Sequence, residues 1–127
     1  GAALSWFRSY LTDRLQCVSI GGINSDPLPV EYGVVQGSTL GPILFLIYIN
    51  NISKLHLNGK LFLFADDTLV FLRGKSWPEV QAKASSDLTL LKTWLDQNVL
   101  SLNITKTKFM PISLRNSTDY NLKNLVI

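Results

Sequence analysis

The stretch that decides the fold runs from Leu61 to Leu72 and reads LFLFADDTLVFL. A run of four apolar residues leads through one alanine into Asp66 and Asp67, and a second apolar run leads away from the pair. Nearly continuous apolar runs of this length are typical of strands that are covered on both faces. The sequence therefore predicts a buried hairpin of strands Leu61–Phe64 and Thr68–Leu72 that carries two adjacent carboxylates at its tip.

The two carboxylates are the chemically informative feature of the chain. An Asp-Asp pair is common in solvated turns, so the pair says little by itself. Beside apolar strands, however, two like charges resist desolvation and need a compensating cation. Mg²⁺ takes oxygen ligands and is usually held by one or two carboxylates together with substrate phosphates. The sequence thus predicts that Asp66 and Asp67 are metal ligands, as in nucleotidyl transfer, where two ions about 4 Å apart stabilise the attacking and leaving oxygens.

Three helices are predicted around this hairpin. Apolar residues recur at helical spacing over Ala2–Leu11 and over Trp77 to about Gln97, and Ser76 with Glu79 forms a capping box before the second of these. Pro42 opens the run Ile43–Ile52, which is apolar nearly all round and therefore predicts a helix covered on every side, with Ser38 or Thr39 capping it from upstream.

Further strands complete a mixed pattern. The runs Leu15–Ile20 and Leu28–Tyr32 are β-prone and are separated by a Gly21-Gly22 turn and by a turn-forming cluster over residues 24–27. Alternation of apolar and polar residues predicts a half-buried strand over Leu100–Thr105, which leads into Lys106. The expected class is α+β, with an antiparallel sheet whose central hairpin is Leu61–Leu72 and with the Ile43 and Trp77 helices packed on one face.

Composition and charge narrow the functional classes. The apolar fraction is 46% and the charged fraction 17%, which argues against disorder and hints at a partner surface. The net charge is +3, and the excess lies in residues 101–127, which contain Lys106, Lys108, Arg115 and Lys123 against Asp119 alone. Such a segment either binds phosphates or is a solvated surface.

Membrane and secretory roles are not supported. The longest apolar run, Ile43–Ile49, is far shorter than the roughly 20 residues of a membrane span, so no membrane partner is predicted. Cys17 is the only cysteine, which excludes an intramolecular disulfide and favours an intracellular, reducing compartment. A start at Gly1 inside a predicted helix suggests a piece of a longer sequence.

Four blocks of the sequence resemble reverse transcriptases of non-LTR, LINE-like retrotransposons. They occur in the family's order and cover nearly the whole chain to about Met110. The blocks are WFRSYL at 6–11, GVVQGSTLGP at 33–42 with LFLIYIN at 44–50, FADD at 64–67, and LSLN at 100–103 with KTK at 106–108.

The resemblance implies an RNA-directed DNA polymerase. It makes Asp66 and Asp67 catalytic metal ligands for Mg²⁺ and places Gln36 and Gly37 beside the nucleotide and template-primer. It also makes the residues before the pair, Phe64 and Ala65, part of the substrate-binding hairpin. Lys106 would face the triphosphate or assist the leaving pyrophosphate; a solvated lysine at a strand end is the plainer interpretation.

The partners implied by the resemblance are an RNA template, a DNA primer, a dNTP and the rest of a parent polyprotein, acting in the nucleus. The whole of residues 1–127 is then expected to be a partial palm domain, with the upstream strand that carries the first metal-binding Asp, and the fingers, missing. The two-metal site would be incomplete and the chain inactive alone. Val35 and Asn51 depart from the family's usual Pro and Asp, which is compatible with a decayed or divergent copy.

Two other classes of function stay open. The chain could be a non-catalytic remnant that acts as a nucleic-acid or protein-binding module, if the Asp pair is dispensable and the basic segment is not. It could instead be an unrelated Mg²⁺-dependent phosphohydrolase that uses Asp66 and Asp67, although nothing nearby offers a general base. His56, the only histidine, lies in a predicted loop and is more typical of a surface turn.

Overall fold

The computed structural model describes residues 1–113, which combine helices with three small antiparallel sheets, as expected for the α+β class. The chain divides into two compact units, Gly1–Ile47 and Tyr48–Ile127. The elements in chain order are α1 (Ala2–Leu11), β1 (Leu15–Gln16), β2 (Ser19–Ile20), β3 (Ile23–Asn24), β4 (Leu28–Pro29), α2 (Gly41–Ile49), a 3-10 helix (Asn50–Lys54), β5 (Lys60–Phe64), β6 (Asp67–Phe71) and α3 (Trp77–Gln97).

The first unit confirms the predicted first helix and hairpin. β1 pairs with β4, and β2 pairs with β3, each antiparallel. Gly21 and Gly22 both have positive φ, at 58° and 83°, which is the backbone that a two-residue type I′ hairpin turn requires. Asn24, the first residue of the predicted turn cluster, instead ends the short strand β3, because Ile20 pairs with Ile23 directly across the glycines and Ser19 pairs with Asn24.

The second unit contains the predicted central hairpin and the long helix. β5 and β6 pair from Lys60 with Phe71 to Phe64 with Asp67, which leaves a two-residue turn. The core of the described residues lies in this unit and consists of Ile49, Ile52, Ala84 and Leu91, together with the side chain of Asp87. Tyr48 in the last turn of α2 donates a hydrogen bond to the carbonyl oxygen of Asn98, just after α3.

Both ends of α3 are fixed by local hydrogen bonds. The Glu79 amide donates to Ser76 Oγ at 3.4 Å, while the Glu79 carboxylate accepts from the Lys75 amide at 2.9 Å. At the other end, the Leu100 amide reaches the Leu95 carbonyl at 2.9 Å and the Val99 amide reaches the Asp96 carbonyl at 3.2 Å. This is the Schellman pattern, with Val99 in the left-handed position usually held by glycine.

The predicted burial of α2 and of the hairpin is wrong. Ile49 is buried and two other residues of α2 are half-buried, but Ile43, Leu46, Ile47 and Tyr48 are exposed. On the hairpin, Phe62, Phe64, Leu69 and Phe71 are exposed as well. The sequence pattern reports which surfaces are apolar, whereas burial also needs a covering element, and residues 1–113 supply none for these surfaces.

The predicted sheet is also smaller than expected. Among the described residues the hairpin pairs with no third strand, and Leu100–Thr105 is not a strand. Asn103 explains the difference, because its side-chain oxygen accepts hydrogen bonds from Thr105 Oγ1 at 2.8 Å and from the Lys106 amide at 3.2 Å. Such local bonds favour a turn over an extended chain.

The described part of the chain has no helix that is long and apolar enough to cross a membrane. Cys17 is exposed. Arg115, Asp119 and Lys123 of the basic segment lie outside the described residues.

Candidate active site

The Asp pair lies at the tip of the β5–β6 hairpin. Ala65 and Asp66 form the two-residue turn, and Asp67 begins β6 opposite Phe64. Ala65 has φ +51°, whereas Asp66 does not have positive φ, which is the pattern of a type II′ turn. That backbone favours glycine, so the alanine stores strain on the order of 1 kcal/mol beside the two acids.

Both carboxylates are exposed and free of internal partners. Within residues 1–113, neither Asp66 nor Asp67 makes a side-chain hydrogen bond or an ion pair. Two adjacent like charges therefore face solvent without any cation of the described chain to compensate them. The turn presents oxygen ligands that are available to an external cation.

The hairpin has two unlike faces, because side chains alternate along each strand. One face carries Asp67 beside the exposed apolar side chains of Phe64, Phe62, Leu69 and Phe71, and Phe64 is 83% exposed. The other face carries the half-buried Leu61 and Val70. Val70 and Leu72 line a cavity of about 130 Å³ with Ala84 and Leu88 of α3, so the helix packs on this second face.

The described residues fit part of a two-metal site. They contain no group of three or more His, Cys, Asp or Glu side chains that could hold a metal ion. Asp66 and Asp67 can supply one or two carboxylate oxygens, which is the usual protein contribution to a Mg²⁺ ion whose other ligands are water and substrate phosphates. The pair fits such an ion, whereas a pair of ions held at a fixed spacing needs further acidic ligands.

The base of the hairpin contains a functional candidate that the sequence interpretation missed. Asp87 of α3 is fully buried and accepts hydrogen bonds from the Asn58 and Gly59 turn that precedes β5. The sequence did carry a signal for it. Asp87 stands inside the apolar stripe of the helix, between Ala84 and Leu91, where an acid has to find buried donors or destabilise the core.

Gln36 and Gly37 lie in a loop of the first unit. The next residue, Ser38, holds this loop in place by hydrogen bonds. Ser38 Oγ accepts from Tyr10 Oη at 2.7 Å and from the Gly41 amide at 3.0 Å, and it donates to the Val35 carbonyl at 2.8 Å. Ser38 thus caps the start of α2, as predicted. Gly37 has φ +77°, a backbone that favours glycine, and Gln36 is exposed. Their place beside the nucleotide and template-primer stays a prediction.

Lys106 lies in a turn and not at the end of a strand. It is exposed, and in the described chain no ion pair joins it to Asp66 or Asp67. The residues that follow it, Thr107 to Phe109, line the cavity beside Val70 and Leu72, so this segment passes the end of β6 that is remote from the acidic tip. A role of Lys106 at the triphosphate stays a prediction.

His56 is exposed, as predicted, and lies in the loop after the 3-10 helix. It lines an open cleft of about 400 Å³ together with Ser53, Gly59, Leu61 and Leu63 among others. The cleft contains neither member of the Asp pair, so within residues 1–113 His56 is not placed as the general base that a phosphohydrolase would need at the acidic tip.

A family model for reverse transcriptase (RNA-dependent DNA polymerase) matches residues 2–120, which is nearly the whole chain. The chain belongs to the reverse transcriptase family. The resemblance to reverse transcriptases of non-LTR retrotransposons is therefore confirmed.

Two curated relatives from Drosophila melanogaster are similar to this reverse transcriptase segment. One is the probable RNA-directed DNA polymerase from transposon BS, at 29% identity over 79% of the chain, and the other is the RNA-directed DNA polymerase from mobile element jockey, at 27% identity over 78%. The chain spans about 12% of the length of each of these relatives. No solved structure matches it.

Proposed function

We propose that the chain is part of the palm of an RNA-directed DNA polymerase of a non-LTR retrotransposon, and that Asp66 and Asp67 hold the metal ions for nucleotidyl transfer. The observation that carries this proposal is the tip of the hairpin, where two adjacent carboxylates are exposed on a strained turn and have no partner among residues 1–113. The family membership and the names of both relatives support the same chemistry.

In this reaction the 3′-hydroxyl of a DNA primer attacks the α-phosphate of a dNTP, and pyrophosphate leaves. Mg²⁺, when bound, supplies Lewis-acid stabilisation of the attacking and leaving oxygens. The chain's own contribution is to place the carboxylates of Asp66 and Asp67 side by side at the end of the hairpin, where the two-residue turn constrains their backbone. Phe64, directly opposite Asp67, offers an exposed ring to the substrate next to the acids.

The remaining partners follow from the same proposal. An RNA template and a dNTP are bound beside Gln36 and Gly37, and Lys106 acts on the triphosphate. The rest of a parent polyprotein covers the exposed apolar surfaces of α2 and of the hairpin, because contiguous apolar surface of this kind marks a contact with another segment. The site of action is the nucleus.

Primer extension by the complete polymerase tests the proposal. With an RNA template and a DNA primer, Asp66→Asn and Asp67→Asn should each abolish extension without weakening template-primer binding, since both variants retain the fold and remove only a ligand charge. Asp96→Asn is the matched control, because Asp96 is exposed and its one ion pair within residues 1–113 is with Lys92 on α3. Full extension by Asp66→Asn, with binding that depends on the basic segment, would instead support a nucleic-acid-binding module.

A further inference from the structure

Asp87 is the most unusual side chain of the described structure. It is 0% exposed, yet it is ionisable and lies on α3 among apolar residues. Both of its oxygens are used: Oδ1 accepts from the Asn58 amide at 2.9 Å and from Asn58 Nδ2 at 2.8 Å, and Oδ2 accepts from the Gly59 amide at 2.8 Å. All three donors belong to the turn before β5.

Burial of a carboxyl group at this position costs free energy, so its presence calls for a functional or structural role. An apolar residue would complete the stripe of Ala84, Leu88 and Leu91 without a carboxylate to desolvate, but it would deprive the amides of Asn58 and Gly59 of this acceptor. Within residues 1–113 no cation pairs with Asp87, so the three N–H donors alone compensate its burial. These three hydrogen bonds fix the peptide at Asn58 and Gly59 to the helix.

The same point also fixes the second strand of the hairpin. A Cβ added at Gly59 would lie 2.9 Å from the carbonyl oxygen of Phe71 and 3.0 Å from Cγ1 of Val70, so the Gly59 backbone lies directly against β6. Lys60, the next residue, makes the first pair of the ladder with Phe71. The Asp87 contact therefore holds the base of both strands whose other end carries the Asp pair.

A second anchor lies on the same side of α3. Lys83 Nζ donates to the Arg73 carbonyl at 3.2 Å and to Glu79 Oε1 at 2.6 Å, and Glu79 Oε2 accepts from the Lys75 amide. Residues 79, 83 and 87 follow each other at i, i+4 and i+8, which aligns them on one face of a helix. This outer anchor holds the chain after β6, but its side chains are 32% and 39% exposed and its bonds compete with water.

We propose that Asp87 is a positioning residue for the metal-binding pair, an inference that rests on the function proposed above. It acts through the turn at Asn58 and Gly59 and sets the angle at which the hairpin leaves α3. The tip lies five paired positions away, or about 17 Å at roughly 3.3 Å per residue. A small rotation at the base therefore becomes a displacement of Asp66 and Asp67, and displacements near 1 Å can lower a rate about 100-fold.

The test is Asp87→Asn in the complete polymerase, compared with Asp96→Asn on the same helix. Asparagine keeps one acceptor oxygen but turns an NH₂ group towards an N–H donor of Asn58 or Gly59. The expected result is a fall in kcat of about tenfold or more per active enzyme, with a higher Mg²⁺ concentration for half-maximal rate and a template-primer Kd within about twofold of the parent. A merely structural role would lower the amount of active enzyme, counted by active-site titration, and leave the Mg²⁺ dependence unchanged.

Asn58→Ala is the second variant, because it removes one side-chain bond to Asp87 and keeps both backbone amides. Asn58→Ala should also raise the Mg²⁺ concentration for half-maximal rate, by a smaller factor than Asp87→Asn. If Asp87→Asn does not fold, the result for Asn58→Ala tests the positioning role. An unchanged kcat and Mg²⁺ dependence in the folded variants would overturn the positioning role. That failure is distinct from failure of the proposed function, which would appear as extension by Asp66→Asn in the same assay.

Discussion

The amide of Gly59 donates a hydrogen bond to Oδ2 of the buried Asp87 at 2.8 Å, and this contact joins the start of the acidic hairpin to the long helix. The other side of Gly59 lies against β6, which leaves no room for a side chain. Gly59 thus contacts both α3 and β6.

Gly59→Ala should destabilise the chain because the new Cβ would lie 2.9 Å from the Phe71 carbonyl, a backbone atom that cannot move aside by rotation. Overpacking of this kind costs about 1–3 kcal/mol. Urea denaturation of the 127-residue chain measures the free energy of unfolding. An unchanged midpoint would show that β5 can move away from β6 without cost, and the proposed rigidity of the hairpin base would be wrong.

Val99→Gly should stabilise the chain. Val99 has φ +54° at the end of α3, where a β-branched residue is strained and glycine is not. The expected gain is about 1 kcal/mol in the free energy of unfolding. Val18→Gly is the matched control, since Val18 is an exposed valine without positive φ, and there the added chain entropy should destabilise. Destabilisation by both variants would contradict the strain at Val99.

Acid should weaken the outer anchor of the hairpin through Glu79. The hydrogen bond from Lys83, and next the one from the Lys75 amide, lower the pKa of this carboxyl in the folded chain. A carboxyl whose pKa is lowered by folding stabilises the folded chain at pH values above its pKa in the unfolded chain, about 4.3. This stabilisation is lost as the pH falls through the pKa of the folded chain.

The free energy of unfolding should therefore decrease below about pH 4.3, and Glu79→Gln should reduce that decrease. Urea denaturation between pH 3 and pH 7 measures both. Glu31→Gln serves as the control, because Glu31 makes no ion pair or side-chain hydrogen bond among residues 1–113. If both variants reduced the acid-induced decrease in the free energy of unfolding equally, the result would argue against a specific role of Glu79.

The 127-residue chain alone should not extend a primer. Beyond Asp66 and Asp67, the acids of α3 are already engaged, Glu79 by Lys83, Asp96 by Lys92 and Asp87 by the turn before β5. The described residues contain no group of three metal-ligating side chains, so Mg²⁺ should bind weakly and keep most of its water. Template-directed, Mg²⁺-dependent extension by this chain that Asp66→Ala abolishes would contradict the account.

Local signals made much of the second unit predictable. The capping box of Ser76 with Glu79 and the helical spacing of apolar residues to about Gln97 gave the bounds of α3, and two apolar runs around the Asp pair gave the hairpin. These features depend on residues close together in the chain, so a single sequence contains them. The family signature added roles for the Asp pair that periodicity alone does not supply.

The errors arose where structure depends on distant partners or on competing local bonds. The sequence shows that α2 and the hairpin are apolar but not what covers them, and much of that surface is exposed. Alternation predicted a strand at Leu100–Thr105, yet Asn103 forms a turn there. The role of Asp87 does not follow from local pattern, because its partners, Asn58 and Gly59, lie nearly thirty positions earlier.

Counting bound Mn²⁺ ions by electron paramagnetic resonance tests the central claim most directly, because Mn²⁺ takes the same oxygen ligands as Mg²⁺. The sample is the complete polymerase with RNA template, DNA primer and a non-hydrolysable nucleotide. The account predicts that Asp66→Asn removes at least one bound Mn²⁺ ion per complex and that Asp96→Asn removes none. An unchanged number of bound ions in Asp66→Asn would contradict the assignment of the hairpin tip as the metal-binding end of the site.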